Sequence, residues 1–378
     1  MDFSVEVAKH VLLKEAESGS NNIMFSPLSL TAMLNIQAAG SKGHTLQQLL
    51  GFLGYETLAE INTKFSNLRD VAASGAGDAG ASKSPLVKFV HGAWVDLRYT
   101  LKPSFEKALT SVFRATIKAL DFANKADEAK EELDLWVSDA TNGLIQQIGS
   151  DIGKDTQLLL INALYFKGVW QCPFDESETR DRDFYLLNGE KIQVPFMCPD
   201  LYWYQYYKSC ETYKVAKLPY SNSHEEKSRE FSMYVFLPNE KDGLLNLLRE
   251  CRDNSEFFTQ HLELPSTAVA SFLIPKFEFK SMTNVSEVMH DLRLNVGEFT
   301  EMIDCPIPAA TIFQTARIIV NEEGTEAAVV SEFEEGFSMY SPPRPPSFVA
   351  DHPFLFMIKE DTSGTPFFIG AVVNPLIV

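Results

Sequence analysis

The chain has 378 residues, of which 45% are hydrophobic, 12% aromatic and 22% charged; this excludes a disordered or low-complexity protein and leaves ample apolar material for a full core. Its net charge of −18, from 33 Lys and Arg against 51 Asp and Glu, argues against a protein that tracks nucleic-acid phosphates, an anionic membrane or a glycosaminoglycan. No stretch approaches the roughly 18 uninterrupted apolar residues of a transmembrane helix, so a soluble protein is expected.

Met1–Glu17 mixes charged and apolar residues at helical spacing (Val7 with Val11, Ala8 with Leu12), which predicts an amphipathic helix rather than a secretory leader. The five cysteines, Cys172, Cys198, Cys210, Cys251 and Cys305, are odd in number and contain no Cys-x-x-Cys pair. Reduced thiols and a cytoplasmic location are therefore expected, with extracellular release as the alternative, and the Asn284-Val285-Ser286 sequon is expected to be unused. Ser26-Pro27 places an N-cap before a proline at the first helical position, and the apolar run that follows reaches Ala39 before Gly40 stops it. Thr45 is the predicted cap of a short helix through Leu46, Leu49 and Leu50. The Gly-, Ala- and Ser-rich segment Ser74–Ser84 reads as a surface loop. Leu101–Phe113 and Ala126–Ala140 read as helices, the second ending at Asn142-Gly143. Beyond it, Gln157–Phe166, Phe231–Leu237, Phe272–Phe279, Thr311–Val320 and Pro353–Ile358 are strand-like runs. Helices early and strands late suit an α+β architecture. With no linker or internal repeat between the halves, one large domain over 1–378 is predicted.

Catalytic and metal-binding patterns are poorly represented. No two of the seven histidines lie three or four residues apart, so no helix presents paired imidazoles and no metal is expected. There is no Gly-x-Ser-x-Gly elbow, phosphate-binding loop or dinucleotide fingerprint. No cofactor and no enzymatic activity are expected, although a hydrolase with a dispersed triad remains an alternative. Glu322-Glu323 and Glu334-Glu335 are adjacent pairs whose members point to opposite faces of an extended chain, not acid/base dyads.

One segment is organised as an ordinary loop need not be. After the Thr311–Val320 strand, Asn321–Gly324 supplies a turn. Thr325, Ala327, Val329, Ser331 and Phe333 then alternate with Glu326, Ala328, Val330, Glu332 and Glu334, giving one side fit for burial and one for water. Ser341-Pro342-Pro343-Arg344-Pro345-Pro346 follows as a stiff, extended run. From periodicity alone, a latent strand carrying exposed bait and an ordinary strand leading to a surface loop are both open.

Residue identity decides between them. Asn321-Glu322-Glu323-Gly324-Thr325-Glu326-Ala327-Ala328 closely resembles the reactive-loop hinge of the serpins, and Phe348-Val349-Ala350-Asp351-His352-Pro353-Phe354-Leu355-Phe356 resembles the family's C-terminal signature. Phe25–Leu30, Asn162–Trp170, Ile274-Pro275-Lys276-Phe277 and Phe368-Ile369-Gly370 match further landmarks in family order, so the resemblance covers essentially the whole chain. The wording of Phe348–Phe356, Leu218-Pro219-Tyr220 and Phe231-Ser232-Met233-Tyr234 is most similar to the Z-type serpins of plants.

The resemblance implies a serpin fold: α+β, a central mostly antiparallel sheet, two further sheets, about eight or nine helices, and an exposed reactive-centre loop at about 322–347. It implies a monomeric suicide inhibitor, whose loop is cleaved by an elastase-, chymotrypsin- or papain-like endopeptidase and inserts into the central sheet with the protease covalently attached. The alternative is a non-inhibitory serpin, cleaved as a simple substrate and acting as a binding or storage protein. By the same resemblance, the hinge is Glu322, Glu323, Gly324, Thr325, Glu326, Ala327 and Ala328. The scissile bond is Ser338-Met339, with Phe337 and Tyr340 marking the neighbouring subsites or bonds. The shutter, where the sheet parts, comprises Ser26, Ser29, Asn162 and Gln314, the last standing where the family usually has histidine. Departures from the family are the β-branched Val329 and Val330, the acidic Glu335 on the side that would be buried, and a Leu292–Ile312 segment about ten residues shorter than usual.

Overall fold

Two helices open the chain, α1 (Phe3–Ser18) and α2 (Pro27–Ala39), both in the places predicted. Ser26 caps α2 as expected: its Oγ accepts from the Ser29 amide at 3.1 Å, and Pro27 occupies the first turn, where its missing N–H costs nothing. The computed structural model describes residues 3–18, 21–63, 65, 85–143, 145–148, 152–199, 204–222, 229–258, 264–292, 299–305, 310–325 and 345–377. The Ser74–Ser84 loop lies outside them.

The helix α3 spans Gly43–Leu53 and is not capped by Thr45. Its N-cap is Lys42, without a side-chain bond, and Thr45 is buried inside the first turn. A further helical run occupies 58–63. The helix predicted over Leu101–Phe113 is shorter, α4 at Pro103–Ser111, because proline again sets the first turn and Leu101 instead bridges to Ile303. The predicted bounds of Ala126–Ala140 match α5. Beyond it Asn142 (φ 56°) and Gly143 (φ 81°) turn left-handed, the conformation that ends helices. Two helices not predicted, α6 (Leu244–Asp253) and α7 (Val285–Asp291), complete the set among the described residues. The sequon residue Asn284 caps α7, its side chain accepting from the Glu287 amide.

The strands form three sheets, as the resemblance implied. The six-stranded sheet runs β12 (Phe277–Asn284), β13 (Thr311–Val320), β14 (Gly324–Thr325), β4 (Leu158–Val169), β2 (Leu86–Asp96) and β3 (Thr116–Leu120). The seven-stranded sheet runs β1 (Ile23–Phe25), β17 (Pro366–Val372), β16 (Phe354–Glu360), β9 (Phe231–Pro238), β8 (Tyr213–Pro219), β7 (Tyr204–Ser209) and β10 (Ser266–Ala268). The four-stranded sheet runs β15 (Ser347–Val349), β11 (Ser271–Pro275), β6 (Lys191–Met197) and β5 (Arg180–Tyr185). The run Phe272–Phe279, read as one strand, is in fact two strands of different sheets, β11 and β12, with Lys276 between them. The early half is also less helical than predicted, since it contributes β2 and β3 to the six-stranded sheet.

That sheet has apolar layers on both faces. On one, Trp94, Leu159, Ile161, Ala163 and Phe313 pack with Leu133 and Val137 of α5. On the other, Leu160 and Ile312 join a core with α1 and α2, while Phe166, Ile318 and Val320 join one with β9 and β16. Burial on both faces is why β4 is apolar almost continuously, whereas the edge strand β12 alternates.

Candidate functional site

The sheet is parted at one end. From Thr311 to Ala316, β13 pairs directly and in parallel with Leu159–Leu164 of β4. Further along, β14 lies between them and is antiparallel to both, with Thr325 opposite Val320 on one side and Gly168 on the other. The chain reaches this position through a turn held by Asn321, whose Oδ1 accepts from the amides of Glu323 and Gly324, each at 3.1 Å. Gly324 is required by close approach: a Cβ there would stand 2.1 Å from the Gly168 carbonyl oxygen.

Each predicted hinge residue that the structure describes is fixed by a partner from another segment. The Glu322 carboxylate, almost fully buried, accepts from Thr179 Oγ1 at 2.6 Å and from Lys276 Nζ at 2.8 Å. Burial opposes its ionisation, but these bonds outweigh burial and hold the carboxyl below its usual range. The main-chain carbonyls of Glu322 and Glu323 accept from the amides of Phe174 and Trp170, each at 2.8 Å. Trp170 Nε1 donates to the Asn321 carbonyl at 2.9 Å. Thr325, predicted to face inward, is 2% exposed, and its hydroxyl meets that of Tyr220 at 2.7 Å. Glu326, Ala327, Ala328, Val329, Val330, Glu335, Phe337, Ser338, Met339 and Tyr340 lie outside the described residues, as does part of Leu292–Ile312.

The predicted shutter residues are all buried, and the structure divides them into two groups. Thr283, Gln314, Asn162 and His91 form one row across β12, β13, β4 and β2. In the amide orientation that satisfies both partners, Gln314 accepts from the Ser26 amide at 2.6 Å and donates to the Ser26 carbonyl at 3.2 Å. Asn162 instead donates to the Val90 carbonyl and to His91 Nδ1, both at 3.1 Å. Ser29 contributes its amide to the Ser26 cap, while its hydroxyl has no partner among the described residues. Burial depresses the His91 pKa to about 3, so the ring is neutral, and the bond from Asn162 places its proton on Nε2.

Sequence reasoning quoted Lys276, Trp170 and Tyr220 as family landmarks without assigning them roles; contacts between distant segments supply those roles. Thr179 and His91 carried no signal, since nothing in their local sequence indicates the buried partner each one meets.

A family model described as serpin (serine protease inhibitor) matches residues 1–375. The chain is 39% identical to Serpin-Z10 of Arabidopsis thaliana, covering 99% of this chain and 96% of that protein. It is 38% identical to Serpin-Z2A of Triticum aestivum, covering 95% and 92%. Among solved structures it is similar to Arabidopsis AtSerpin1 in the native stressed conformation, at 36% identity, with a TM-score of 0.85 over 99% of this chain and 96% of that one. The native thermophilic serpin Tengpin, at 20% identity and a TM-score of 0.79, shares the fold.

Proposed function

The chain belongs to the serpin family, and from that premise we propose that it inhibits an endopeptidase irreversibly, as a suicide substrate. The observation that carries this reading is the hinge seated between β13 and β4: the first two residues of a strand are already in the sheet, at the point where two parallel neighbours separate. Cleavage at Ser338-Met339 releases the downstream tether while the protease is still joined as an acyl-enzyme. The segment beyond Thr325 then continues the strand, and the attached protease is carried along and distorted.

The energetics favour this direction. About ten residues entering a central strand gain main-chain bonds of roughly 1 kcal/mol net each. The total, on the order of 10 kcal/mol, matches a whole domain's stability. The uncut fold is then a kinetic trap.

The target class proposed is elastase-, chymotrypsin- or papain-like, and the inhibitor acts as a monomer. A cytoplasmic location is proposed on the cysteine pattern, five in number with no Cys-x-x-Cys pair. Incubation with a panel of serine and cysteine proteases tests the function directly. The expected result is an adduct that survives denaturing electrophoresis. Cleavage without an adduct would overturn inhibition in favour of a non-inhibitory binding or storage serpin.

A further inference from the structure

We propose that Tyr220 is a positioning residue whose hydroxyl latches Thr325 into the sheet before any cleavage, so that insertion starts from a formed nucleus. The consequence for trapping rests on the inhibitory reading above; the latch itself does not.

A strand of two residues has few main-chain bonds to hold it, and keeping even two residues ordered costs conformational entropy. One side-chain bond is therefore a large share of what keeps it seated. The two hydroxyls meet at 2.7 Å, with Tyr220 4% and Thr325 2% exposed, so neither finds water in exchange. Burial raises the phenol's pKa, more than the bond to Thr325 lowers it, so the phenol stays protonated and is able to donate.

The ring is held rigidly in place. It stacks on Trp170 at 4.6 Å between centroids and 16° between planes, and meets Phe166 edge-on at 4.9 Å. The main chains of Trp170 and Tyr220 form a bridge. Gly168 leaves room for the ring, since a Cβ there would lie 2.7 Å from Tyr220 Cδ1. The same Trp170 donates to the carbonyl of Asn321, at the start of the hinge turn. One aromatic stack thus fixes both ends of the segment Asn321–Thr325.

Two variants separate the hydroxyl bond from the packing: Tyr220→Phe keeps the ring, and Thr325→Val keeps the shape of the threonine. Deuterium exchange of the peptide containing Gly324 and Thr325, measured without protease, is expected to be about tenfold faster in either variant, the loss of one hydrogen bond. The double variant is expected to add nothing further. With a trapped protease, the number of inhibitor molecules consumed per adduct is expected to rise at least about twofold in Tyr220→Phe, while its denaturation midpoint falls by no more than the loss of one hydrogen bond. Unchanged exchange in both single variants, or effects that simply add in the double variant, would overturn the latch. If wild type forms no adduct with any protease but the exchange pattern holds, the inhibitory reading fails and the latch stands. Should Tyr220→Phe not fold, Thr325→Val reports on the same bond.

Discussion

Asn162 and Gln314 stand directly opposite each other on β4 and β13, and neither bonds the other. Gln314 is tied to the main chain of Ser26 at the start of α2, whereas Asn162 is tied to β2 through Val90 and His91. Among the described residues, this row has no side-chain hydrogen bond across the line where the proposed insertion would part β13 from β4. Opening it there costs main-chain bonds and apolar contact but no side-chain hydrogen bond. Glutamine in place of the family's usual histidine is thus bonded to Ser26 and not to Asn162, so the two sides of the proposed shutter are tied separately.

His91 makes acid stability the first test of that arrangement. Its folded pKa of about 3 lies below the unfolded value of about 6.5. The unfolded chain therefore binds the proton first, and stability falls as pH drops from about 6.5 towards 3. At pH 5 the loss relative to neutral pH is about 2 kcal/mol. Replacing His91 by Asn, which still offers Asn162 an acceptor, is expected to remove that part of the pH dependence. Urea midpoints at pH 7.5 and pH 5 for both proteins measure it; equal shifts in the two would refute the assignment.

The hinge supplies a second prediction. Thr325 is buried with strands on both sides, so Thr325→Arg places a charge where it costs several kcal/mol. The fold is expected to survive, and the variant is expected to be cleaved and released as a substrate. An undiminished yield of covalent adduct would contradict insertion.

Much of this was legible in the residues. Ser26-Pro27 announces α2 because capping and proline act within one turn, and Thr311–Val320 announces β13 because its composition allows little else. Glu322–Thr325 was recognisable as a hinge by its wording. The roles of Lys276, Thr179, Tyr220 and His91 were not, because each depends on a partner distant in sequence. Lys276 stands 46 residues from Glu322, and His91 stands 71 from Asn162. The split of Phe272–Phe279 into two strands was hidden for a similar reason: one apolar run serves two sheets, and only tertiary pairing reveals the break.

Register makes the third prediction specific. Each residue beyond Thr325 steps its partners back by one, so continuation of β14 brings Ser331 between Gln314 and Asn162. Asn162 Oδ1, which has no partner among the described residues, would then meet a hydroxyl donor. Cleavage is expected to raise the melting temperature strongly, where nicking an ordinary loop lowers it. Ser331→Val is expected to reduce that gain by roughly one hydrogen bond while leaving the uncut protein unchanged. Calorimetry of cut and uncut forms decides. A cut form melting at or below the intact one would indicate a non-inserting serpin and point to Val329, Val330 or the short Leu292–Ile312 segment.

The bait follows from the same register. In the family the scissile bond lies fourteen residues beyond the hinge glycine, and counting from Gly324 reaches Ser338, so the proposed bond is Ser338-Met339. The count is set by insertion length: a tether that is too long leaves slack, and the protease escapes undistorted. Serine before the bond suits elastase-like enzymes, and Phe337 one place earlier suits papain-like cysteine proteases, which read that subsite with an apolar pocket. A register shifted by one places Phe337 or Met339 before the bond and suits chymotrypsin-like enzymes. Arg344 is the evident lure for a trypsin-like enzyme, but Pro345 follows it and resists such cleavage, and the tether would be six residues longer. Mass spectrometry of the peptide released from a trapped complex distinguishes these cases. A peptide beginning at Met339 is expected; one beginning at Ser338 or Tyr340 moves the bond by a single residue. A trapped complex that releases a peptide beginning at Pro345 would show that insertion length does not set the bond.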